Sequence, residues 1–428
     1  MTAAVLLAGA LPRLLGPGHA AGPASLAEHT ARYGPPPSGL GRPQREALIE
    51  EVDRAGLTGR GGAGFPTARK LAAVAAGHAP VVVANGTEGE PASAKDRVLM
   101  ARSPQLVLDG AVLAAEMIGA SKAVVVVHRG VREIVAEAVA ERVRARSGRV
   151  RLEVRTAADR FVAGQASAVV HWIQRGVPTP TATPPHLSRR GLRGAPTLVQ
   201  NVETLAHLAL IARYGASWFR SAGTPAEPGS MLVTVLGAVR RPAVLEVEIG
   251  MPVGEVLELA GGASAPPQAL LLGGYFGTWV DAAEAVGLPF SSAGLADLGA
   301  GPGAGLIAAL PAGACGLAET ARVVRYLAGE SAGQCGPCRF GLPAIAGEVE
   351  RLADGRGADP GLLQRWLGQV DGRGGCAHPG GVTGLVRSAL RTFGAELGRH
   401  AAGRCSGPAG VLPVPSAGVP PAPPGGGR

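Results

Sequence analysis

The order of elements predicts an α/β fold in three parts: a parallel sheet with helices on both faces, a small mixed unit, and an all-helical region. Three observations predict it. Short β-branched runs alternate with helical segments through the first half, two strand runs from Met231 are followed by a helix and another strand, and from about Leu317 only helical periodicity remains. Length agrees, since 428 residues exceed a single hydrophobic core and fit two or three domains. The apolar share is 46% but the aromatic share only 4%, so Ala, Val and Leu must fill the cores. That composition suits helices and buried parallel strands.

Taken in order, residues 1–40 are rich in Gly and Pro, end in Tyr33-Gly-Pro-Pro-Pro-Ser-Gly39, and predict a flexible lead-in. Residues 45–55 predict a helix and 81–84 a buried strand. Ser103 and Pro104 supply an N-cap and N1 pair for a helix ending near Gly119. Residues 123–128 predict a second strand, 131–146 a helix and 151–155 a third strand; strands that alternate with helices form parallel sheets. Residues 231–239 and 244–249 read as paired strands joined through Arg240-Arg-Pro242. A helix at 253–259 closed by Gly261-Gly262 and a strand at 269–272 complete the order of a ubiquitin-like β-grasp. Helices follow at 317–329, 340–353, 361–370 and 383–398, with cysteines in the joints, and the Pro- and Gly-rich tail from Gly407 predicts disorder. The domain boundaries expected are 1–40, 41–228, 229–312, 313–406 and 407–428.

Lys+Arg 41 against Asp+Glu 32 gives a net charge of +9. Arginine supplies 38 of the 41 cations, spread along the chain without the basic and aromatic alternation of a single-strand binder, so no nucleic-acid partner is expected. In so arginine-biased a chain the only lysines are Lys70, Lys95 and Lys122, and the only asparagines are Asn85 and Asn201. Such survivors point to positions that need a specific geometry. Five cysteines, an odd number, do not make a disulfide framework, and the Cys335/Cys338 pair reads as metal binding in a reducing compartment. The apolar stretch 3–11 has no basic residue before it and is interrupted by Pro12 and Arg13, unlike a secretory signal. No run of eighteen apolar residues occurs, so no transmembrane segment is expected and the location read is cytoplasmic.

Three segments carry chemistry. Gly59-Arg-Gly-Gly-Ala-Gly-Phe-Pro66 places four glycines in six positions ahead of a helix and Lys70, a loop whose backbone N–H groups can approach a phosphate. It lacks the βαβ fingerprint of a dinucleotide fold. Asn85-Gly-Thr-Glu-Gly-Glu-Pro91, with Ala94-Lys-Asp-Arg97, lies at the carboxyl end of a buried strand, where open α/β sheets bind ligands and carboxylates accept from ribityl hydroxyls or a nicotinamide amide. Cys335 and Cys338, with Cys376 38 residues on, suit zinc with His378 as a further ligand, an iron-sulfur cluster, or a redox dithiol. Iron-sulfur is preferred, because a flavin candidate precedes it.

These motifs, in this order, resemble the flavin- and iron-sulfur-containing subunit of NADH:quinone oxidoreductase (complex I) and its relatives in soluble hydrogenases and formate dehydrogenases. The likeness runs from about residue 50 to 400 and includes Ala195-Pro-Thr-Leu-Val-Gln-Asn-Val-Glu-Thr204 and Glu330-Ser-Ala-Gly-Gln-Cys-Gly-Pro-Cys-Arg339. The resemblance implies a Rossmann-like FMN-binding domain, a β-grasp (SLBB-like) domain and a four-helix bundle holding a [4Fe-4S] cluster. It implies electron transfer from NADH or another donor through FMN to that cluster, a redox partner subunit or acceptor protein, and a place peripheral to a membrane complex. Matched residue by residue, Gly59, Gly61, Gly62, Gly64 and Lys70 would hold the phosphate, with Arg60 in the same loop. Asn85, Glu88 and Asn201 would line the flavin's polar edge, Gly164 would be a further cofactor-binding position, Glu90 and Phe65 would meet a nicotinamide, and Cys335, Cys338 and Cys376 would ligate the cluster.

The sequence also departs from the family. Ala332 stands where the first cluster cysteine belongs, leaving three thiolates, one short of a conventional cubane, so a [3Fe-4S] cluster or a cubane with one labile iron is expected. Cys315 is separated from Cys335 by a helix about 20 Å long; Ser331, His378, Cys405, water or no ligand are the other candidates for the fourth position. Gly164-Gln-Ala-Ser167 replaces Gly-Glu-Glu-Thr, Thr87 an aspartate, Gln200 an asparagine, and Thr183 and His186 a lysine and a phenylalanine of the NADH site. Each buried hydrogen-bonding partner removed costs roughly 1 to 3 kcal/mol of binding. A rewired member that has lost NADH, and a zinc-stabilised binding module, are the alternatives.

Overall fold

The computed structural model of the chain describes residues 13–16, 22–146, 148–181 and 185–415. The stretch 3–11, Thr183 and the tail beyond 415 lie outside the described residues. Two compact units divide the chain, residues 1–312 and 313–428.

The first unit holds two sheets. Strands β1 (Val81–Gly86), β2 (Lys122–Val127), β3 (Arg151–Thr156) and β4 (Thr197–Asn201) form an all-parallel sheet in the order β3-β2-β1-β4. Side chains alternate across it. Val82, Ala84, Ala123, Val125 and Leu198 enter a core shared with helices Pro104–Ile118 and Val202–Phe219, while Val83, Val124, Val126 and Val199 meet Val169 and Val170 of helix Ala166–Arg175. Coverage of both faces is why β2 reads as an uninterrupted apolar run. Helices Pro104–Ile118 and Val202–Phe219 touch backbone to backbone at Gly110, where a Cβ would fall 1.9 Å from the Leu205 carbonyl oxygen.

The lead-in is not flexible where it is described. Helix Leu26–Tyr33 starts with a capping box between Ser25 and Glu28. Its buried His29 lies 2.6 Å from Asp109, which also takes Arg142 at 2.5 Å and Arg213 at 2.5 Å. Burial opposes ionisation of Asp109, but the His29 hydrogen bond and the two guanidiniums prevail and bring its pKa down to about 2. Leu14 is fully buried, and the N–H groups of Arg13 and Leu14 donate to Glu246 Oε2 at 3.0 and 2.8 Å. Gly and Pro content hides these few anchoring contacts.

Strands β5 (Ser230–Gly237), β6 (Ala243–Glu248), β7 (Pro267–Leu272), β8 (Thr278–Asp281) and β9 (Leu306–Pro311) build the second sheet in the order β6-β5-β9-β7-β8. Antiparallel β5 and β6, helix Val253–Leu259 and β9 parallel to β5 give a β-grasp. Sequence reading omits β8 and β9, the first only four residues long and the second set in a Gly- and Ala-rich stretch.

The second unit contains helices Gly316–Gly329, Leu342–Asp354, Pro360–Val370, His378–Thr392 and Gly394–Ala401, with a π-helical turn at Pro337–Gly341. The helix expected at 383–398 is broken at Phe393 (φ −105°, ψ 29°), whose ring packs on Gly316. The tail beyond Gly407 is ordered as far as it is described. Fully buried Glu319 accepts the N–H groups of Gly410 at 2.5 Å and Leu412 at 2.6 Å, and Pro408 accepts from Cys315 at 3.1 Å. A buried carboxylate needs donors, and this strap supplies them. Among the described residues no single helix is long and apolar enough to cross a membrane.

Candidate cofactor sites

The carboxyl edge of the parallel sheet gathers most of the expected ligand residues. Asn85 and Asn201 are register partners at the ends of β1 and β4. Asn85 Nδ2 donates to the Gly164 carbonyl at 2.9 Å; Asn201 Nδ2 donates to Asp96 at 2.7 Å while its Oδ1 caps helix Val202–Phe219 through Glu203 N–H at 3.0 Å. The glycine loop closes through Gly59 N–H to the Phe65 carbonyl at 3.0 Å and approaches this edge at Gly61, whose absent Cβ would lie 3.4 Å from Asn201 Cβ. Gly62 (φ 103°) and Gly64 (φ 61°) take left-handed backbone that side chains disfavour, and Phe65 beside them is 51% exposed. Lys70, in helix Thr67–Ala75, donates to the carbonyl of Val199, midway along β4, at 3.0 Å. Burial lowers its pKa, and among the described residues no carboxylate pairs with it.

Two expected ligand residues point inward instead. Arg60 anchors the loop: its N–H donates to Thr204 Oγ1 at 2.8 Å, and its guanidinium to Thr58 at 2.9 Å and the Pro228 carbonyl at 3.3 Å. Glu88, at the strained φ of 46°, has a buried carboxylate that accepts from Ser93 Oγ at 3.0 Å, Asp96 N–H at 2.8 Å, and Arg97 N–H at 3.1 Å and Nε at 2.8 Å. The protein itself supplies partners to both side chains. Burial first, and the Asp96 charge second, push the Glu88 pKa up.

Beneath this edge lies a buried ionic network. Lys95 donates to Asp96 at 2.8 Å and to Glu203 at 2.7 Å, and Glu203 also accepts Leu232 N–H at 2.8 Å. Burial works against the Lys95 charge, but the two carboxylates outweigh it and raise its pKa. Lys95 and Glu203 each lie inside a motif that the sequence marks, 94–97 and 195–204, but nothing in those motifs shows that the two side chains pair. Glu90 accepts Tyr275 N–H at 2.8 Å and Ala92 N–H at 3.4 Å, and burial carries its pKa up to about 7. Thr87 Oγ1 and Gln200 Oε1 are buried without a hydrogen-bond partner among the described residues, while His186 is exposed.

The cysteine triplet assembles at the C-terminal end of helix Gly316–Gly329. Cys335 and Cys338 flank the start of the π-helical turn, and Cys376 precedes helix His378–Thr392. Cys338 shares a side-chain hydrogen bond with Cys335, and Cys376 lies near enough for its charge to act on Cys338. Burial, then Cys335, push the Cys338 pKa up to about 12. At Cys335 burial is outweighed by N–H donors from Gly375 and Cys338, and the pKa falls. Ala332 offers no ligand atom. His378 is fully buried, with Nε2 2.7 Å from the Leu327 carbonyl, so that nitrogen is committed to the helix end. Cys315 caps the opposite end of the 14-residue helix, about 20 Å away. Neither it nor Cys405 joins the triplet, since both lie with Glu396 and His400.

A glycine loop and a lysine at the carboxyl edge of a parallel sheet, a β-grasp unit, and a Cys-x-x-Cys pair with a third cysteine in the joints of a helical region fit the class of flavin and iron-sulfur redox subunits. Residues 52–210 match the Nuo51 FMN-binding domain, 232–274 the SLBB domain, and 318–400 the NADH-ubiquinone oxidoreductase-F iron-sulfur binding region. The chain is 30% identical over 381 residues to one of two NADH-quinone oxidoreductase F subunits of Rhizobium meliloti (strain 1021), covering 84% of this chain and 90% of that one. It is 31% identical over 377 residues to the NADH-quinone oxidoreductase F subunit of Mycobacterium tuberculosis (strain ATCC 25618 / H37Rv), covering 83% and 85%. The chain belongs to the family of NADH-quinone oxidoreductase F subunits (51 kDa), as a divergent member. A crystal structure of an NAD+-reducing [NiFe]-hydrogenase in the H2-reduced state superposes with a TM-score of 0.78 at 32% identity; it shares 83% of this chain, which spans 63% of the hydrogenase chain.

Proposed function

We propose that the chain is an electron-transfer subunit that binds FMN at the carboxyl edge of β1 and β4 and an iron-sulfur cluster at Cys335, Cys338 and Cys376, with NADH as donor. The observation that carries this reading is the Cys335 and Cys338 pair, whose sulfurs receive backbone N–H groups from Gly333, Gly375 and Cys338, with Cys376 close enough to act on Cys338; such donors stabilise cluster sulfur. The residues also fit the flavin. Lys70 is a partly buried cation that among the described residues pairs with no carboxylate, beside a loop with glycine at four of six positions, which suits a phosphate, and Thr87 and Gln200 each hold a buried polar atom in need of a partner.

FMN held there would supply the exchange of a hydride for two single electrons, and a cluster held by the cysteines would supply a one-electron acceptor. The protein's part is placement. Backbone amides of Gly61, Gly62 and Gly64 with Lys70 would hold the phosphate, in a loop that Gly59 N–H closes onto the Phe65 carbonyl, while Asn85, Gly164 and Asn201 would set the polar edge. Glu88 fixes the turn that presents them by gripping Asp96 and Arg97. Phe65 offers an exposed ring, and Glu90 a carboxyl near neutrality, to a nicotinamide. The acceptor is a partner protein of the redox assembly.

A second reading, FMN and cluster with a donor other than NADH, is favoured by Gln165, Ala166 and Ser167 at the start of helix Ala166–Arg175, where no side chain caps the first turn. Anaerobic titration of the purified protein followed by absorbance separates the two. Bleaching of flavin and cluster by NADH supports the first; bleaching by dithionite alone supports the second; colourless, iron-free protein overturns both.

A further inference from the structure

Four side chains of ligand type meet at the N-terminal end of helix Gly316–Gly329, apart from the thiol triplet. Cys315 caps that helix, fully buried, with its Sγ accepting Ala318 N–H at 3.3 Å. Helix Gly394–Ala401 carries Glu396 and His400 four residues apart, hence on one face. His400 Nε2 lies 3.3 Å from Cys315 Sγ and 3.1 Å from Glu396 Oε1. Cys405, just past that helix, completes the group, and all four ligand atoms lie within 4.8 Å of one another.

We propose that Cys315, Glu396, His400 and Cys405 bind one zinc ion, a site separate from the iron-sulfur ligands. A tetrahedron with two sulfurs at about 2.3 Å and nitrogen and oxygen at about 2.0–2.1 Å has edges of roughly 3.3 to 3.8 Å. The Cys315–His400 and His400–Glu396 separations, 3.3 and 3.1 Å, are close to such edges already. Two thiolates with an imidazole select zinc over magnesium, calcium or manganese. The surroundings are those of a metal centre: Ala318 N–H on the Cys315 sulfur, and Ser406 N–H at 2.8 Å and Arg399 Nε at 2.9 Å on the Glu396 carboxylate. Arg399 offsets the single negative charge that two thiolates and a carboxylate leave around Zn²⁺. Binding transfers no electrons: two free thiols lose their protons to water, including the one Cys405 donates to the Gly407 carbonyl at 3.2 Å, and two Zn–S bonds form. Three ligands are buried and Cys405 is exposed, which leaves a way in. The ion ties the chain beyond the last helix to the cap of the first.

Zinc and iron per chain, measured by mass spectrometry on the full-length protein purified anaerobically with its cofactors, test the proposal. The expected result is about one zinc, with absorption at the zinc edge showing two sulfurs and two lighter ligands. Cys405→Ser, at an exposed position, and His400→Gln lower zinc at least tenfold and leave iron unchanged, whereas Cys338→Ser loses iron and keeps zinc. Protein that takes up no stoichiometric Zn²⁺ after reduction overturns the proposal. So do zinc retained in Cys405→Ser, zinc lost together with the cluster in Cys338→Ser, and a Cys315–Cys405 disulfide found by peptide mapping of the anaerobic protein.

Discussion

The sheet edge at β1 and β4 and the joint at Cys335, Cys338 and Cys376 hold their groups in opposite ways. At the edge, side chains are fixed by one another: Lys95 by Asp96 and Glu203, Glu88 by Arg97 and Asp96, Asn201 by Asp96. At the joint Cys335 and Cys338 share only a thiol hydrogen bond, a weak one, and the thiol charges repel once ionised. The edge is therefore part of the folding free energy, whereas the joint depends on what it binds. Removing a residue at the edge should cost stability, and at the joint it should cost cofactor.

The largest effect tests the joint. Cys338→Ala should lower iron per chain more than tenfold while circular dichroism keeps its helical signal, and retention of iron would break the contrast. Next comes the edge. Lys95→Met leaves Asp96 and Glu203 buried without their cation and should cost about 3–5 kcal/mol in denaturant unfolding; a loss below about 1 kcal/mol would show that the network is not structural. Glu90 sharpens the same point through pH. Its folded pKa of about 7 lies above the ordinary 4.5, so the folded state holds the extra proton. That contribution is fully present below pH 4.5 and is lost as pH rises through 7, with a slope of up to about 1.4 kcal/mol per pH unit. Glu90→Gln should flatten the slope in unfolding measured from about pH 5 to 7.5. The smallest change is Ala332→Cys, which restores a fourth thiolate and should raise iron by about one atom per chain, read by iron analysis and EPR.

Much of this was legible along the chain wherever the signal is local. The uninterrupted run of β2, the strand-strand-helix order of the β-grasp and the Cys-x-x-Cys pair all sit within a few residues. The survival of lysine and asparagine in an arginine-rich chain pointed to Lys95, Asn85 and Asn201 because burial and pairing there tolerate no substitute. Other roles depend on direction, which spacing does not encode. Glu88 and Arg60 carry the right residue types but turn inward, the first through a left-handed backbone and the second through Thr58, Thr204 and Pro228. Helix Leu26–Tyr33 is written in eight residues whose decisive contact, His29 with Asp109, spans 80 positions. The Cys315 group is harder still, since only the Glu396 and His400 spacing is local and Cys315 stands 85 residues from His400.

The strap from Pro408 to Leu412 separates two notions of where a domain stops. The iron-sulfur region matched by the family ends at residue 400, yet the carboxylate of Glu319 is neutralised by Arg322 at 2.8 Å and by amides ten and twelve residues later. A fragment trimmed to the edge of the homology would expose an anion in an apolar interior, so recombinant boundaries, fusions and tags belong beyond Leu412 rather than at the last recognisable helix.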